Sequence, residues 1–309
     1  LPQDLADELA RLQRQAEPMP WPRIREALVL QYGDLDTRFK QIEERPFASA
    51  SMGQVHRAVT IDNDTVVLKI QYPGLADVLE SDLKQVKRLM RLGRWFKVPQ
   101  ARLDALFEEL AAGLREELDY LAEAKALSRY RERYQHDPRL VIPEPLFELS
   151  GQHVLAMRFV DGTPLRELES VDDERRQKVA EVLADWITEE LFTYGELHAD
   201  PHAGNFAADE DGRLVIYDFG AVIPVPEARL KAMMQLLDAT LKHDPMAMDE
   251  ALLKMGGRQG QGAPLSLYRE SAECVSPLFA PGQQDFSDVR VHRRLRELTP
   301  KVWAAMDRL

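Results

Sequence analysis

Four apolar residues, Leu214-Val215-Ile216-Tyr217, run directly into Asp218-Phe219-Gly220, thirteen positions after Asn205 and eighteen after Asp200. Asp200 and Asn205 belong to a dense polar stretch, ELHADPHAGNF, at residues 196–206. A carboxylate at the exit of a buried strand, followed by a glycine free to turn, must be held beside that polar loop for the groups to work together. Few chain paths allow this. Three readings of the loop are open at this point. His198, Asp200 and His202 have the H-x-D-x-H pattern of some hydrolytic metal cages. The segment can also be a loop that works on phosphates, or a polar turn without chemistry.

Composition narrows the choice. A net charge of -12 argues against nonspecific nucleic-acid binding, which needs a cationic surface. Cys274 is the only cysteine, which excludes an internal disulfide and thiolate metal cages. At 309 residues with 45% hydrophobic content, the chain can bury two cores. No apolar run approaches the roughly 20 residues that span a bilayer. The sequence starts at Leu1 rather than a methionine and stops within a helix-like segment, so a piece of a longer protein is expected.

The spacing D-x-x-x-x-N of Asp200 and Asn205, with the D-F-G of Asp218 downstream, is the one in which phosphoryl-transfer enzymes set a base and two metal ligands. Upstream, Ala48–Val55 (ASASMGQV) aligns with the phosphate-covering pattern G-x-G-x-x-G-x-V as A-x-A-x-x-G-x-V. Lys69 stands sixteen residues past Gly53, on the apolar run VVLKIQ, where a lysine neutralises phosphate. Alanine resists the positive φ open to glycine by about 1–2 kcal/mol, so Ala48 and Ala50 make a stiffer phosphate cover. A lysine there needs a carboxylate partner, and the run LREELDYLAEA supplies acids. On one continuous helix Asp119 and Glu123 lie about 40° apart and share a face, whereas Glu117 points back toward the apolar stripe of Leu103, Phe107, Leu110 and Leu114. His198 is read as a buried residue orienting the loop, and His202 as a local hydrogen-bonding group.

These readings predict an α+β, two-lobed protein-kinase-like fold. Residues 1–45 form an N-terminal helical extension, and residues 46–160 an N-lobe carrying a helical insertion at about 75–112. Residues 161–309 form a mainly helical C-lobe. Within the N-lobe, strands are expected over SMGQVHRAVT, VVLKIQ, VIPEPLFEL and HVLAMRFV.

The motifs PFASASMGQVHRA, ELDYLAEA, HADPHAGN and DFG together resemble the UbiB/ADCK (aarF-domain) family of atypical protein-kinase-like proteins. The resemblance implies that Lys69 pairs with phosphate and Glu123 with Lys69. It implies that Asp200 is the catalytic-loop acid, that Asn205 and Asp218 hold the metal, and that Glu117 and Asp119 are the family's E-x-D acids. Nucleotide contacts would come from Ala48, Ser49, Ala50, Ser51, Gly53, Val55 and Lys69, with the backbone of Arg158 and Val160 facing the base. The implied cofactors are ATP or ADP with Mg2+. The implied setting is ubiquinone biosynthesis on the cytoplasmic face of a bacterial inner membrane or its equivalent, peripheral or anchored by segments outside this chain. Membrane lipids, quinone-pathway intermediates and quinone-biosynthesis proteins would be the partners. Ser49 replaces the family's middle alanine, Ala126 stands where asparagine is usual, and the family's K-x-G-Q helix is absent from these residues. Two rivals stand beside this reading: a small-molecule phosphotransferase of the aminoglycoside or choline kinase type, and a nucleotide-gated, lipid-binding pseudokinase.

Overall fold

The computed structural model describes residues 18–50, 52–92, 100–170, 173–258, 260, 262–279 and 289–305. The chain divides into two compact units, residues 1–185 with 198–222 and residues 186–197 with 223–309.

The first unit is built on an antiparallel sheet of β1 (Phe39–Ile42), β2 (Ala48–Ala50), β3 (Gly53–Thr60), β4 (Thr65–Gln71) and β6 (Val154–Arg158). Its order is β1-β3-β4-β6, with β2 folded back on β3. Period-two alternation splits this sheet into two unlike faces. Ala58, Val66, Leu68, Ile70, Val154 and Ala156 point to one side and are buried. There they meet Ile24 and Leu28 of α1 (Trp21–Tyr32), both 0% exposed. Full burial of side chains this size contributes about 1.5–3 kcal/mol each. Pro22 lies in the first turn of α1, where its missing N–H has no partner to lose, and Gly33 at φ 72° ends the helix. Gln54 and His56, buried on the same face, fasten the segment entering α1. The Met19 N–H donates to Gln54 Oε1, His56 Nδ1 pairs with Glu43 O at 2.8 Å, and Trp21 packs on the His56 ring.

The register Val55↔Lys69↔Leu155 and Arg57↔Val67↔Met157 gives the other face its residues, with Lys69 among them. Gly53 makes the close β3–β4 approach possible. A Cβ there would lie 2.1 Å from Ile70 O, a backbone atom that cannot rotate away. Gly53→Ala should therefore cost about 1–3 kcal/mol through forced strand separation, measurable by urea unfolding; a loss below about 0.5 kcal/mol would show that the strands part freely.

Two expectations are corrected here. Phe39–Ile42, assigned to the helical extension, is β1, pairing with β3 from Phe39↔Thr60 to Ile42↔Ala58. Four residues cannot display a helical period, and the open β3 edge with the seat for Phe39 against Tyr32 decides the outcome. In VIPEPLFEL only Val141 belongs to a strand, β5 (Leu140–Val141), and Pro145 makes a single bridge to Met157, because Pro143 and Pro145 lack the N–H a continuous ladder needs. The expected helices before Pro18 lie outside the described residues. Within 75–112 the chain forms α2 (Leu75–Leu92) and most of α3 (Gln100–Glu116), packed through Leu83, Phe107 and Ala111.

A smaller sheet, ordered β5-β10-β9-β7, carries the polar loop: β7 is Thr163–Pro164, β9 Phe206–Ala208 and β10 Leu214–Ile216. The β9–β10 hairpin pairs Phe206 with Ile216, and the Tyr217 N–H donates to Asn205 O at 2.9 Å. Thirteen residues of sequence thus close into cross-strand neighbours at the open end of the hairpin. Asp209 folds its tip, accepting the N–H groups of Asp211 and Arg213 at 3.0 and 2.8 Å. Between these parts run α4 (Tyr120–Arg133) and α5 (Asp173–Glu189), and β8 (Glu196–His198) pairs with β11 (Val222–Pro224).

The second unit contains α6 (Glu227–Leu241), α7 (Pro245–Met255), α8 (Leu265–Val275) and α9 (Val289–Ala305). Asp244 caps α7 through the Met246 and Ala247 N–H groups, and Ala239, Met248, Tyr268 and Ala272 form its core. Asp249 accepts from both Arg258 and the Tyr268 hydroxyl, tying α7 to α8.

Candidate phosphoryl-transfer site

Lys69 sits where β4 presents its site face to the start of α4. Its Nζ lies 2.7 and 2.9 Å from the two Glu123 oxygens and 2.9 Å from Asp218 Oδ2. One ammonium thus joins strand, helix and D-F-G turn, with side-chain exposures of 12% for Lys69, 5% for Glu123 and 29% for Asp218. Burial opposes charge on Lys69, but Glu123 and Asp218 outweigh it and hold the ammonium protonated above the ordinary lysine range. Burial pushes the Glu123 carboxyl up to about 7 against the pull of Lys69. Asp218 is also raised by burial, yet Lys69 and the Gly220 N–H bring it below the usual carboxylate range. The second Asp218 oxygen accepts that N–H at 2.8 Å, so the turn at Gly220 orients the carboxylate.

Asp200 and Asn205 form a second pair. Asn205 Nδ2 donates to the Asp200 carbonyl at 3.0 Å and to its carboxylate at 3.1 Å. His198 is 7% exposed, and its Nε2 donates to the Asp218 carbonyl at 2.9 Å, linking the polar loop to the D-F-G turn. His202 Nδ1 accepts the Gly204 N–H at 3.1 Å. Both histidines therefore hold local backbone, as the sequence suggests. Phe219 stacks on Tyr130 at 4.3 Å, pinning the turn to α4.

Ala48, Ser49 and Ala50 pair in register with Val55, Gln54 and Gly53, so the alanine motif is a regular antiparallel hairpin with β3. Ser51 lies outside the described residues. At the end of β6 the Phe159 N–H donates toward β4, to Thr65 O, and the Arg158 N–H donates toward the outer edge, to Glu144 O at 2.8 Å. The Arg158 carbonyl shares that outward direction, and past the strand the Tyr217 hydroxyl donates to Val160 O at 3.3 Å.

The acids of LREELDYLAEA are arranged differently from the continuous-helix expectation. α3 ends at Glu116 and α4 begins at Tyr120. Asp119 is the N-cap of α4, exposed, with its carboxylate accepting the Ala122 N–H at 3.0 Å. It does not join Glu123; Glu117 is the acid whose charge reaches Glu123 and Tyr120. The break is fixed by Gln71 at the end of β4, whose amide donates to Leu118 O at 3.2 Å. Asp119→Ala should cost about 1 kcal/mol through the lost cap, and Asp119→Ser should recover most of it. Equal stability of both variants and the wild type in urea would remove the capping role.

Sequence reasoning missed Tyr120, buried with its ring 5.1 Å from Lys69 Nζ. It also missed Gln71 and Asp209. Only Asp209 had a readable signal, an aspartate three residues before Gly212 between two apolar runs.

A lysine–glutamate pair on a five-stranded antiparallel sheet, beside a polar loop and a D-F-G turn, defines a protein-kinase-like α+β fold. The model of the ABC1 atypical kinase-like domain matches residues 11–252, and the chain belongs to that family, as the UbiB/ADCK resemblance implies. The mitochondrial atypical kinase COQ8 of Saccharomyces cerevisiae is 29% identical over 305 residues, covering 96% of this chain and 60% of that one. The mitochondrial atypical kinase COQ8B of Danio rerio is 33% identical over 220 residues, covering 70% and 35%. This chain thus spans about 60% of the yeast relative's length and about 35% of the zebrafish relative's. Among solved structures, Rv3197 of Mycobacterium tuberculosis, in its complex with erythromycin, superposes with a TM-score of 0.69 at 24% identity. That match covers 99% of this chain and 84% of that one, a likeness of fold.

Proposed function

We propose that this chain binds a magnesium nucleotide against the Lys69 face and transfers its terminal phosphoryl group. The observation that carries this reading is the single ammonium shared by Glu123 and Asp218. A cation buried between two carboxylates is prepositioned for phosphate, and Glu123 holds it there while Asp218 is engaged elsewhere. Asp218 and Asn205 supply carboxylate and amide oxygens, the hard donors magnesium prefers, on adjacent backbone at one hairpin end. Bound there, the ion would neutralise charge developing on the phosphate oxygens. Asp200, steadied by Asn205, would orient or deprotonate an acceptor hydroxyl or water. The regular β2–β3 hairpin would cover the phosphates more stiffly than a glycine loop.

The UbiB/ADCK kinship extends the proposal to ubiquinone biosynthesis at a membrane, with lipid or quinone intermediates and quinone-biosynthesis proteins as partners. Among the described residues no helix is long and apolar enough to cross a membrane, so contact with the bilayer would be made by surface or by other segments. The test is thermal unfolding with Mg-ATP and Mg-ADP. At about 100 times its dissociation constant a ligand adds about 2.7 kcal/mol, a rise of several degrees at this size. The rise should depend on magnesium and vanish in Asp218→Asn; no rise with either nucleotide in the wild type would end the proposal.

A further inference from the structure

The face that carries Lys69 ends in a group that the phosphoryl-transfer reading does not use. Arg57 lies on it, opposite Val67 in the ladder and two residues along from Lys69. Its guanidinium stands 4.2 Å from the Phe159 ring centre and 5.0 Å from that of Phe47. The two rings meet edge to face at 6.0 Å. Phe47 opens the alanine hairpin, its N–H donating to Val55 O at 2.7 Å, and Phe159 follows the last residue of β6. The Arg57 Nε is buried and has no hydrogen-bond partner among the described residues. A buried donor on a charged group is normally satisfied, so this one points to an acceptor brought by something else.

Between Arg57 and Lys69 the same face carries Val55, Val67 and Met157, an apolar floor suited to a flat aromatic ring. The two backbone positions stand about 7 Å apart along the strand. Phosphates anchored at Lys69 therefore direct a nucleotide's base over this floor toward Arg57.

We propose that Arg57 recognises the base of the nucleotide, donating to acceptor atoms on its edge while Phe47 and Phe159 hold the guanidinium in place. This rests on the nucleotide-binding reading above. It makes Arg57 a base-recognition residue at the opposite end of this sheet face from Lys69, with purine nitrogens and carbonyls as its acceptors.

The probe that separates the two claims is Mg-tripolyphosphate, which has the phosphates and lacks the base. Affinities for it and for Mg-ATP are to be measured on the wild type, Arg57→Met and Arg57→Lys, with unfolding of each unliganded protein as a check on folding. Arg57→Met keeps an apolar stem between the rings and removes the donors. Arg57→Lys keeps the charge and loses the planar fork, and it carries the test if the methionine variant does not fold. Each variant should bind Mg-ATP about tenfold more weakly, in the range of one charge-assisted hydrogen bond, and bind tripolyphosphate as the wild type does. Unchanged Mg-ATP affinity would reduce Arg57 to a packing residue. Equal losses for both ligands would assign it to holding the hairpin and overturn base recognition. A wild type that binds neither ligand would instead sink the nucleotide reading itself.

Discussion

Lys69→Met should be the most destabilising of the single changes considered, by about 3–5 kcal/mol at pH 8, because it leaves Glu123 and Asp218 facing each other without a cation. The loss should depend on pH in a defined direction. Glu123 already titrates near 7 in the wild type because burial raises it, and without Lys69 its folded value moves higher still. A carboxyl whose folded value exceeds its unfolded one stabilises fully below the unfolded value. That contribution disappears as pH rises through the folded value. The deficit of Lys69→Met should therefore be small near pH 5 and grow through pH 8. Urea unfolding at both pH values reads it directly. A deficit under about 1 kcal/mol at pH 8, or one that shrinks as pH rises, would show that the three groups are hydrated and do not depend on one another.

Asp200→Asn should have the largest effect on turnover, lowering nucleotide hydrolysis by about 10²–10⁴-fold, the range for removing a positioned general base. The fold should tolerate it, since an asparagine oxygen can still accept the hydrogen bond that Asn205 now gives to Asp200. Nucleotide-dependent thermal stabilisation should persist, because Asp200 is not among the groups assigned to phosphate or metal. Retained hydrolysis would remove Asp200 from the chemistry, whereas a wild type that is stabilised by nucleotide and does not hydrolyse it would favour the nucleotide-gated binding module over the enzyme. Loss of both hydrolysis and stabilisation would mean that Asp200 helps to hold the nucleotide.

The parts of the site legible in the sequence were those whose geometry is local. Asp218 follows an apolar strand and precedes a glycine, so its place at a turn can be read from four residues. Lys69 lies on a seven-residue strand that pairs with the motif just upstream, and a short connection fixes that register. The acids around Asp119 were not legible in the same way. No glycine or proline in LREELDYLAEA marks a break, and Asp119, a good N-cap residue, can equally sit within a helix; the choice is made with Gln71, more than forty residues upstream, holding Leu118 O. Once the helix restarts at Tyr120, the wheel phase changes and Glu117 replaces Asp119 as the acid near Glu123. β1 escaped notice because an edge strand is chosen by the vacant hydrogen bonds of its neighbour, a tertiary fact.

The hairpin that joins Asn205 to Asp218 acts as a ruler. Its rungs from Phe206↔Ile216 to Ala208↔Leu214 set the distance between the two oxygen donors, while Asp209 closes the far end with its own side chain. A single residue inserted within either strand would invert its buried side chains and slide one donor past the other. The same residue added at the exposed tip would leave every rung in place. Length variation in this segment should thus collect at residues 210 and 211, and the interval between the donors can differ among otherwise equivalent sites without any change in what they hold.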